Sequence, residues 1–499
     1  MATLVGIAGA NRNACVAVSV DGRICAACEQ ERLSRVRGVG LPTHRPPTEA
    51  INETLALAGR SLQDAAAFVI SEPNVHLPAG FATVSVEHHR AHAATAFLTS
   101  PFERAVVLVC DTTPNRELSV WNADGTTLEE RWWWPHAFAS LYSECARLFQ
   151  IGSGQEHRLE ALAHLGRGLR AAELSNVFRY VDGILQVDKD WRTRIAGMIQ
   201  SDRRSDGQPT EAASAVQCRI GELLLELVAD LKRSSGRDAL CVGGGLFYNT
   251  YFTTLIRTAG IFDDVFVPIN PGNAGLAVGA PLVASENHRS LSREVSPFLG
   301  PEYDSTAIKA ELDGCKLSYE FLGQSGTVDV TVDALARGQL VGWFQGRMEW
   351  GHRSLGHRSI LADPMSPYVL DNLNVFLRKR ERWRSFGVSI CEDEVGDYFR
   401  GPLSSPWMQY ESTPLDPERF RHVMPSGASS IRVQTVIPQS RMFWSLHKRM
   451  AQATGRGVLV NTSFNSFQEP IVCSPRDAVR VFYGTGLDLL VLGGFVIRK

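Results

Sequence analysis

Three short apolar runs open the chain, LVGIAG, ACVAVSV and ICAACEQ, parted by the polar turn NRN and by Asp21-Gly22. Runs of this length fit strands, and Asp-Gly between two of them favours a tight hairpin. An antiparallel meander is therefore expected at the start. The pattern then changes. AFVI (67–70), ATVSV (82–86), RAVVLVCD (104–111) and ALCVGGG (239–245) read as strands, while 48–58, 62–67, 138–150, 156–165 and 211–233 carry helical periodicity. DDVFVPINPGNAGLAVGAPLVA (263–284) reads as strand, loop and small-residue helix. A meander followed by alternating strands and helices predicts a mixed α/β fold rather than a plain doubly wound sheet.

Between about 285 and 326 the pattern weakens into charge, Ser and Pro, and a domain junction is expected there. A second α/β block begins at VDVTVDALARGQLVGWFQG (328–346) and runs to Lys499. The length, 499 residues, suits two to four domains. The 51 basic and 53 acidic residues nearly cancel, so bulk charge gives no attraction to nucleic acid or an anionic membrane. No apolar run reaches the ~20 residues of a membrane span. The start, MATLVGIAGANRNACVAV, has no basic n-region of a secretory signal. Ten cysteines are too sparse for a disulfide framework, and Cys25 and Cys28, a lone C-x-x-C in an apolar run, are expected as ordinary buried thiols. A reducing cytoplasm is the expected compartment.

Four segments could carry chemistry. In EHHRAHAATAF (87–97), His88 and His92 are four apart, so on a helix both imidazoles leave one face, as two ligands of one metal ion would. Asp111, ending the strand RAVVLVCD, is the candidate third ligand; surface or capping histidines are the alternative. In CVGGGLFYN (241–249), Gly243, Gly244 and Gly245 let backbone approach a phosphate closely, although glycine triplets also mark plain tight turns. PINPGNAGLAVGA (268–280) is a second loop entering a helix N-terminus, where N–H groups suit anions.

GRMEWGHRSLGHRSILADP (346–364) sets Arg347, Arg353 and Arg358 among Gly346, Gly351 and Gly356, and LRKRERWRSF adds Arg378, Lys379, Arg380, Arg382 and Arg384. Arginines clamp phosphate or carboxylate in two-pronged fashion. Trp350, Leu355, Ile360, Trp383 and Phe386 alternate with them, which implies partial burial and hence paired or liganded guanidiniums rather than a solvated face. Such focused charge fits a nucleotide better than DNA. In LVNTSFNSFQEPIVCSPRDAVRVF (459–482) a strand ends in Asn461-Thr462-Ser463, poised for phosphate oxygens, and Ser474-Pro475 starts a helix. The signatures of serine hydrolases, P-loop NTPases, zincins and simple dehydrogenases are absent.

Taken in order, EQERLSRVRG (29–38), EHHRAHAA, VLVCD, LYSECARLFQIGSGQEHRLEALAHLG, GGGLFYN, PGNAGLAVGA, GWFQGRMEWG with its R-LG-RSILADP continuation, N-x-x-x-R-x-RE, NTSFN and EPIVC resemble the carbamoyltransferase family of antibiotic and nodulation-factor biosynthesis. The resemblance covers nearly the whole chain. It implies an actin-like, ribonuclease-H-like N-terminal domain of two subdomains (1–290), a linker (291–326) and a YrdC-like C-terminal domain (327–499). It implies that the C-terminal domain makes carbamoyl adenylate from carbamoyl phosphate and ATP, taken with Mg2+, and that the N-terminal domain passes the carbamoyl group to a hydroxyl or amine of a small-molecule natural product. Arg353 and Arg384 would be catalytic there, with Arg347, Arg378, Ser463 and Asn465 gripping phosphates. Gly243, Gly244, Gly245, Asn249 and Gly275 would bind nucleotide. His88 and Asp111 would act in transfer and, with His92 and Asn273, hold a divalent metal such as Fe2+. No nucleic acid or membrane partner is implied.

The chain also departs from the family pattern. Arg12-Asn13 replaces an early His-Asp, Asn273 stands in place of an aspartate ligand, GHRSLG replaces GPRALG, Arg378 a lysine and Arg384-Ser385 an Arg-Pro pair. An amide ligand brings no charge, so metal affinity is expected to fall. Two other readings stay open from sequence: a related ATP-dependent acyl-transfer or ligase-like enzyme, and a nucleotide-binding protein without transfer. The stretch 180–212 is expected as a lid over the acceptor.

Overall fold

The computed structural model describes residues 2–285 and 295–499 apart from Asn74 and Pro114. The chain packs as two compact units, one of 1–86, 273–424 and 431–499, the other of 87–272 and 425–430. The start of the expected junction, 286–294, lies outside the described residues.

In the first unit the opening meander forms as expected. β1 (Thr3–Ala8), β2 (Cys15–Val20) and β3 (Arg23–Glu29) pair antiparallel in sequence, and Asp21 takes the positive φ of 51° that the hairpin turn requires. β4 (Ala65–Ile70) and β5 (Ala82–Ser85) add in parallel on the other side of β1, giving the order β3-β2-β1-β4-β5. The helical periodicity expected over 62–67 shrinks to one turn, Leu62–Asp64. Ser61 and Asp64 close a capping box around it, and the apolar run Ala65–Ile70 then enters the sheet. The helix Asn273–Ala284 lies against β1 so closely that a Cβ at Gly6 would sit 2.0 Å from the Ala277 carbonyl oxygen.

The second unit repeats the plan. β6 (Arg104–Thr113), β7 (Arg116–Asp124) and β8 (Thr127–Trp134) form an antiparallel meander. A separate two-stranded hairpin joins β9 (Phe178–Val181) to β10 (Ile184–Val187). β11 (Ala239–Gly243) and β12 (Asp264–Phe266) join parallel beside β6, in the order β12-β11-β6-β7-β8. Two five-stranded sheets, each an antiparallel meander extended by two parallel strands, make the duplicated ribonuclease-H-like arrangement of an actin-like fold. The stretch 180–212 is regular: it holds β10, the helix Trp191–Asp206 and the start of the helix Thr210–Ser235.

A ten-stranded mixed sheet completes the first unit. At its centre Val341–Phe344 pairs antiparallel with Arg358–Ala362, which pairs antiparallel with Leu459–Ser463; Gly387–Cys391 follows. Its core gathers Val341, Trp343, Leu361, Leu459 and Val491 under the helices Gly323–Ala336 and Arg441–Thr454. Part of the stretch expected as linker is built into this block: Asp304 caps the helix Ser305–Gly314, and Glu320–Phe321 pairs with the strand Phe495–Arg498. All ten cysteines are free; Cys28 is buried as expected, whereas Cys25 is only partly buried. Among the described residues no helix is long and apolar enough to cross a membrane.

The two sheets of the first unit meet at a buried polar junction. Arg32 follows β3 and is 4% exposed; its guanidinium donates to the Gly351 carbonyl at 2.9 Å and pairs with Glu31 at 2.7 Å and Glu29 at 3.5 Å. Glu29 in turn accepts the Gly351 N–H at 2.5 Å. Gly351 of the arginine-rich loop is thus held at both its N–H and its carbonyl. Burial disfavours the charge on Arg32, but Glu31 and Glu29 outweigh it and keep the guanidinium protonated. Arg32→Ala strands a buried carboxylate and should destabilise the protein by about 3–5 kcal/mol, measured by denaturant unfolding. A loss under 1 kcal/mol would mean that the junction contributes little.

Candidate functional site

The first site grows from a capped helix and a bulged strand. Glu87 caps the helix His88–Leu98 by accepting the N–H groups of His89 and Arg90 at 3.0 and 2.7 Å. The helix puts His88 and His92 one turn apart on a common face, ring centroids 4.9 Å apart. The β6–β7 register breaks between Cys110 and Thr113, which takes Asp111 out of the regular ladder. One carboxylate oxygen of Asp111 lies 3.0 Å from His88 Nε2 and 3.3 Å from His92 Nε2. The other accepts the Gly245 N–H at 3.2 Å.

Both imidazoles therefore converge on a single oxygen, and the three ligand atoms lie within 4.8 Å of one another. Burial works to raise the Asp111 pKa, but hydrogen bonds from His88 and His92 overcome it and hold the carboxyl well below the usual range. Nδ1 of His92 is buried with no hydrogen-bond partner. Two imidazoles and one carboxylate are a fitting donor set for a divalent transition metal. His89 is no part of it: its nitrogens meet Ser119 and Thr113 hydroxyls, both at 2.8 Å. Burial, with repulsion from His92 and His88, pushes its pKa down to about 3, so it stays neutral.

The glycine triplet serves this site through its backbone. Gly244 has φ 98°, and a Cβ there would meet the Cys110 carbonyl oxygen at 2.0 Å; at Gly243 it would lie 3.1 Å from the His92 carbonyl oxygen. That close approach brings Gly245 N–H to Asp111. Asn249 caps the helix Thr250–Thr258 through Tyr251 N–H at 3.0 Å and donates to Tyr142 and Gln217 at 3.1 and 3.0 Å. Its bonds thus go to the fold itself. Asn273 and Gly275 lie in the first turn of the helix Asn273–Ala284, in the other unit.

The arginines of the second block divide by what they touch. Arg347, expected at a phosphate, donates to the carbonyls of Leu299, Gly300 and Cys25 at 2.7, 3.3 and 3.1 Å. Arg358 is fully buried, donates to the carbonyls of Gln345, His357 and Pro301, and lies 3.6 Å over the Phe344 ring. Both are tied to backbone within the protein. Sequence reasoning missed Glu349, which draws the amides of Leu355, His357 and Arg358 onto one oxygen at 2.7, 2.9 and 3.1 Å. That carboxylate shapes the loop carrying Arg353.

Arg378 behaves differently. It leaves a wide π-helical turn, Asn372–Leu377, and grips both the hydroxyl (3.1 Å) and the carbonyl of Ser463. Ser463 donates to Asn465 at 2.7 Å. Asn374, the first residue of the N-x-x-x-R-x-RE motif but given no role from sequence, gathers the neighbouring turn by donating to the Arg384 carbonyl at 2.9 Å and accepting from Arg380 at 2.6 Å. Burial, then repulsion from Arg37 and Arg384, pushes the Arg378 pKa down to about 9, and the guanidinium still holds its proton at neutral pH.

The His88, His92 and Asp111 set predicts one bound divalent ion per chain. Elemental analysis of protein purified without chelator should find it in the wild type and find it depleted in His92→Ala and Asp111→Asn. Equal metal in all three would exclude the site.

Two family models match the chain, Carbamoyltransferase N-terminus over 77–282 and Carbamoyltransferase C-terminus over 332–499. The chain is 32% identical to the uncharacterized protein sll1178 of Synechocystis sp., over 83% of this chain and 76% of that protein. It is 30% identical to the nodulation protein NolO of Bradyrhizobium diazoefficiens, over 83% and 79%. It is 27% identical to the 3'-hydroxymethylcephem-O-carbamoyltransferase of Streptomyces clavuligerus, over 68% and 64%. With models of both halves matched in order, and relatives similar along most of its length, the chain belongs to the carbamoyltransferase family.

Proposed function

We propose that this carbamoyltransferase uses ATP and carbamoyl phosphate, forms carbamoyl adenylate, and delivers the carbamoyl group to a hydroxyl of a small-molecule natural product. The observation that carries the reading is the linked set Arg378, Ser463 and Asn465: Arg378 grips the Ser463 hydroxyl and carbonyl, and Ser463 donates to Asn465. Such a cluster fits a substrate with several phosphate oxygens.

In the activation step water releases phosphate from carbamoyl phosphate, and the carbamate formed attacks the α-phosphorus of ATP. A carbamate O–P bond forms, the bond to pyrophosphate breaks, and carbamoyl adenylate remains. Arg378, Arg384 and Arg353 stabilise the charge that gathers on the departing phosphates, while Ser463, held by Arg378 and Asn465, orients a phosphate oxygen. In the transfer step the acceptor oxygen attacks the carbamoyl carbon, AMP leaves, and the hydroxyl proton passes to solvent or to the departing phosphate. Here the residues of the first site, His88, His92 and Asp111, would hold a divalent ion, Fe2+ by family resemblance, which supplies Lewis acidity toward the leaving group. The glycine turn 243–245 would lie along the nucleotide. We assign transfer to 1–290 and activation to the YrdC-like block 327–499.

Pyrophosphate release tests the reading. The full chain should release pyrophosphate from ATP only when carbamoyl phosphate is present. Arg378→Ala should slow this by roughly 30- to 1,000-fold, the worth of one oxyanion contact, while His88→Ala should spare it and stop transfer. Release that ignores carbamoyl phosphate would overturn the proposal.

A further inference from the structure

We infer that Asn461 recognises the amino group of the carbamoyl substrate and is the residue by which the activation site tells carbamoyl phosphate from other acyl phosphates. The inference rests on the activation reading above and deepens it by naming the atom that reads the acyl group.

Asn461 and Ser463 lie two residues apart on the strand Leu459–Ser463, so both side chains leave the same face of the sheet. On the neighbouring strand Ser359 stands opposite Ser463 and Leu361 opposite Asn461. Ser463 ends the strand partly exposed, with Arg378 at 3.1 Å and Asn465 at 2.7 Å from its hydroxyl. Asn461 lies one pleat further in and is 2% exposed.

A chain of hydrogen bonds fixes the way its amide points. Gln434 donates to the Leu355 carbonyl at 2.9 Å, which leaves the Gln434 side-chain oxygen to accept from Asn461 Nδ2 at 2.6 Å. Asn461 Oδ1 is thereby turned away from Gln434, and it is buried without a hydrogen-bond partner. The sequence suggested this residue for phosphate oxygens. What it presents is an acceptor, which repels them and calls for an N–H or O–H donor. Buried acceptors are seldom left unpaired.

Gly387 faces Asn461 on the strand to its other side, and the Met408 thioether packs over it, 3.0 Å from where a Cβ would stand. A thioether brings no N–H, and its three rotatable bonds let it yield to a ligand of a few atoms. On the same face Ser389, opposite Gln434 in the parallel pair, keeps a second buried hydroxyl without a partner. Two residues along a strand advance about 6.5 Å. In carbamoyl phosphate the nitrogen is three bonds from the phosphorus, so a phosphate on Arg378 and Ser463 brings the amino group within reach of Asn461 Oδ1. An acetyl group has a methyl at that place and leaves the acceptor unpaired. Every acyl phosphate offers the phosphate; the amino group is what distinguishes carbamoyl.

The test compares carbamoyl phosphate with acetyl phosphate in pyrophosphate release by the full-length wild type, Asn461→Leu and Asn461→Asp. Inorganic phosphate, titrated calorimetrically, reports on Arg378 and Ser463 without an amino group. The wild type should prefer carbamoyl phosphate in kcat/KM by roughly ten- to a hundredfold. Asn461→Leu should lose that preference through a higher KM for carbamoyl phosphate while its phosphate affinity stays unchanged. Asn461→Asp, which keeps an acceptor oxygen, should retain part of it. Equal use of the two acyl phosphates by the wild type overturns the inference and leaves activation standing, whether or not the variants fold. A full preference in Asn461→Leu with unchanged phosphate affinity overturns it as well. If neither acyl phosphate drives pyrophosphate release, the activation reading itself falls, and this inference with it.

Discussion

One buried ion pair positions the arginine-rich loop. Glu29 and Arg32 hold the backbone of Gly351 between them, one accepting its N–H and the other donating to its carbonyl. Desolvating two charges is expensive, and such a pair persists only where further hydrogen bonds satisfy what the partner leaves open. Here the Gly351 peptide and Glu31 do so. On the other side of the loop Glu349 collects three amides. Arg353 lies between these two fixed points, so its backbone is set by the carboxylates of Glu29 and Glu349. Holding a cationic side chain ready before a phosphate arrives lowers the reorganisation that binding and catalysis would otherwise require.

The two candidate sites answer opposite electrostatic needs. Around Asp111 a single buried carboxylate is stabilised by two imidazoles and one amide, a basin of electron pairs suited to a cation. Around Arg378 the imbalance has the other sign, because burial and the charges of Arg37 and Arg384 all press against its guanidinium. A chain with net charge −2 thus separates its local charge into one cation-seeking and one anion-seeking place. A reaction that first makes and then spends a phosphate leaving group has use for both.

Much of this was legible in the sequence because periodicity and spacing are local properties. The i, i+4 histidines, the meander with its Asp21-Gly22 turn and the strand ending near Asp111 need only neighbouring residues to be read. What failed were questions of partner choice. Arg347 and Arg358 look like Arg378 in sequence, yet they spend their donors on carbonyls brought in from 299–301, 345 and elsewhere. Glu349 and Asn374 lie inside family motifs, but no role was read for them, since a carboxylate or an amide that organises a loop has no characteristic spacing. The EQERLSR run was visible only as a family motif; that Arg32 and Arg35 would fasten it to residues 351 and 470–471 depends on long-range packing. In 180–212, expected as a lid, the polar residues mask a helix with one narrow apolar side, Trp191, Ile195, Met198 and Ile199.

The central claim is that ATP is cleaved to activate a carbamoyl group. The most direct measurement identifies the nucleotide product by mass spectrometry after the full chain is incubated with ATP and isotopically labelled carbamoyl phosphate. The account predicts AMP with pyrophosphate and, in quenched samples without acceptor, an adenylate that carries the labelled carbamoyl carbon. ADP as the product, or carbamoyl transfer in the absence of ATP, would contradict it.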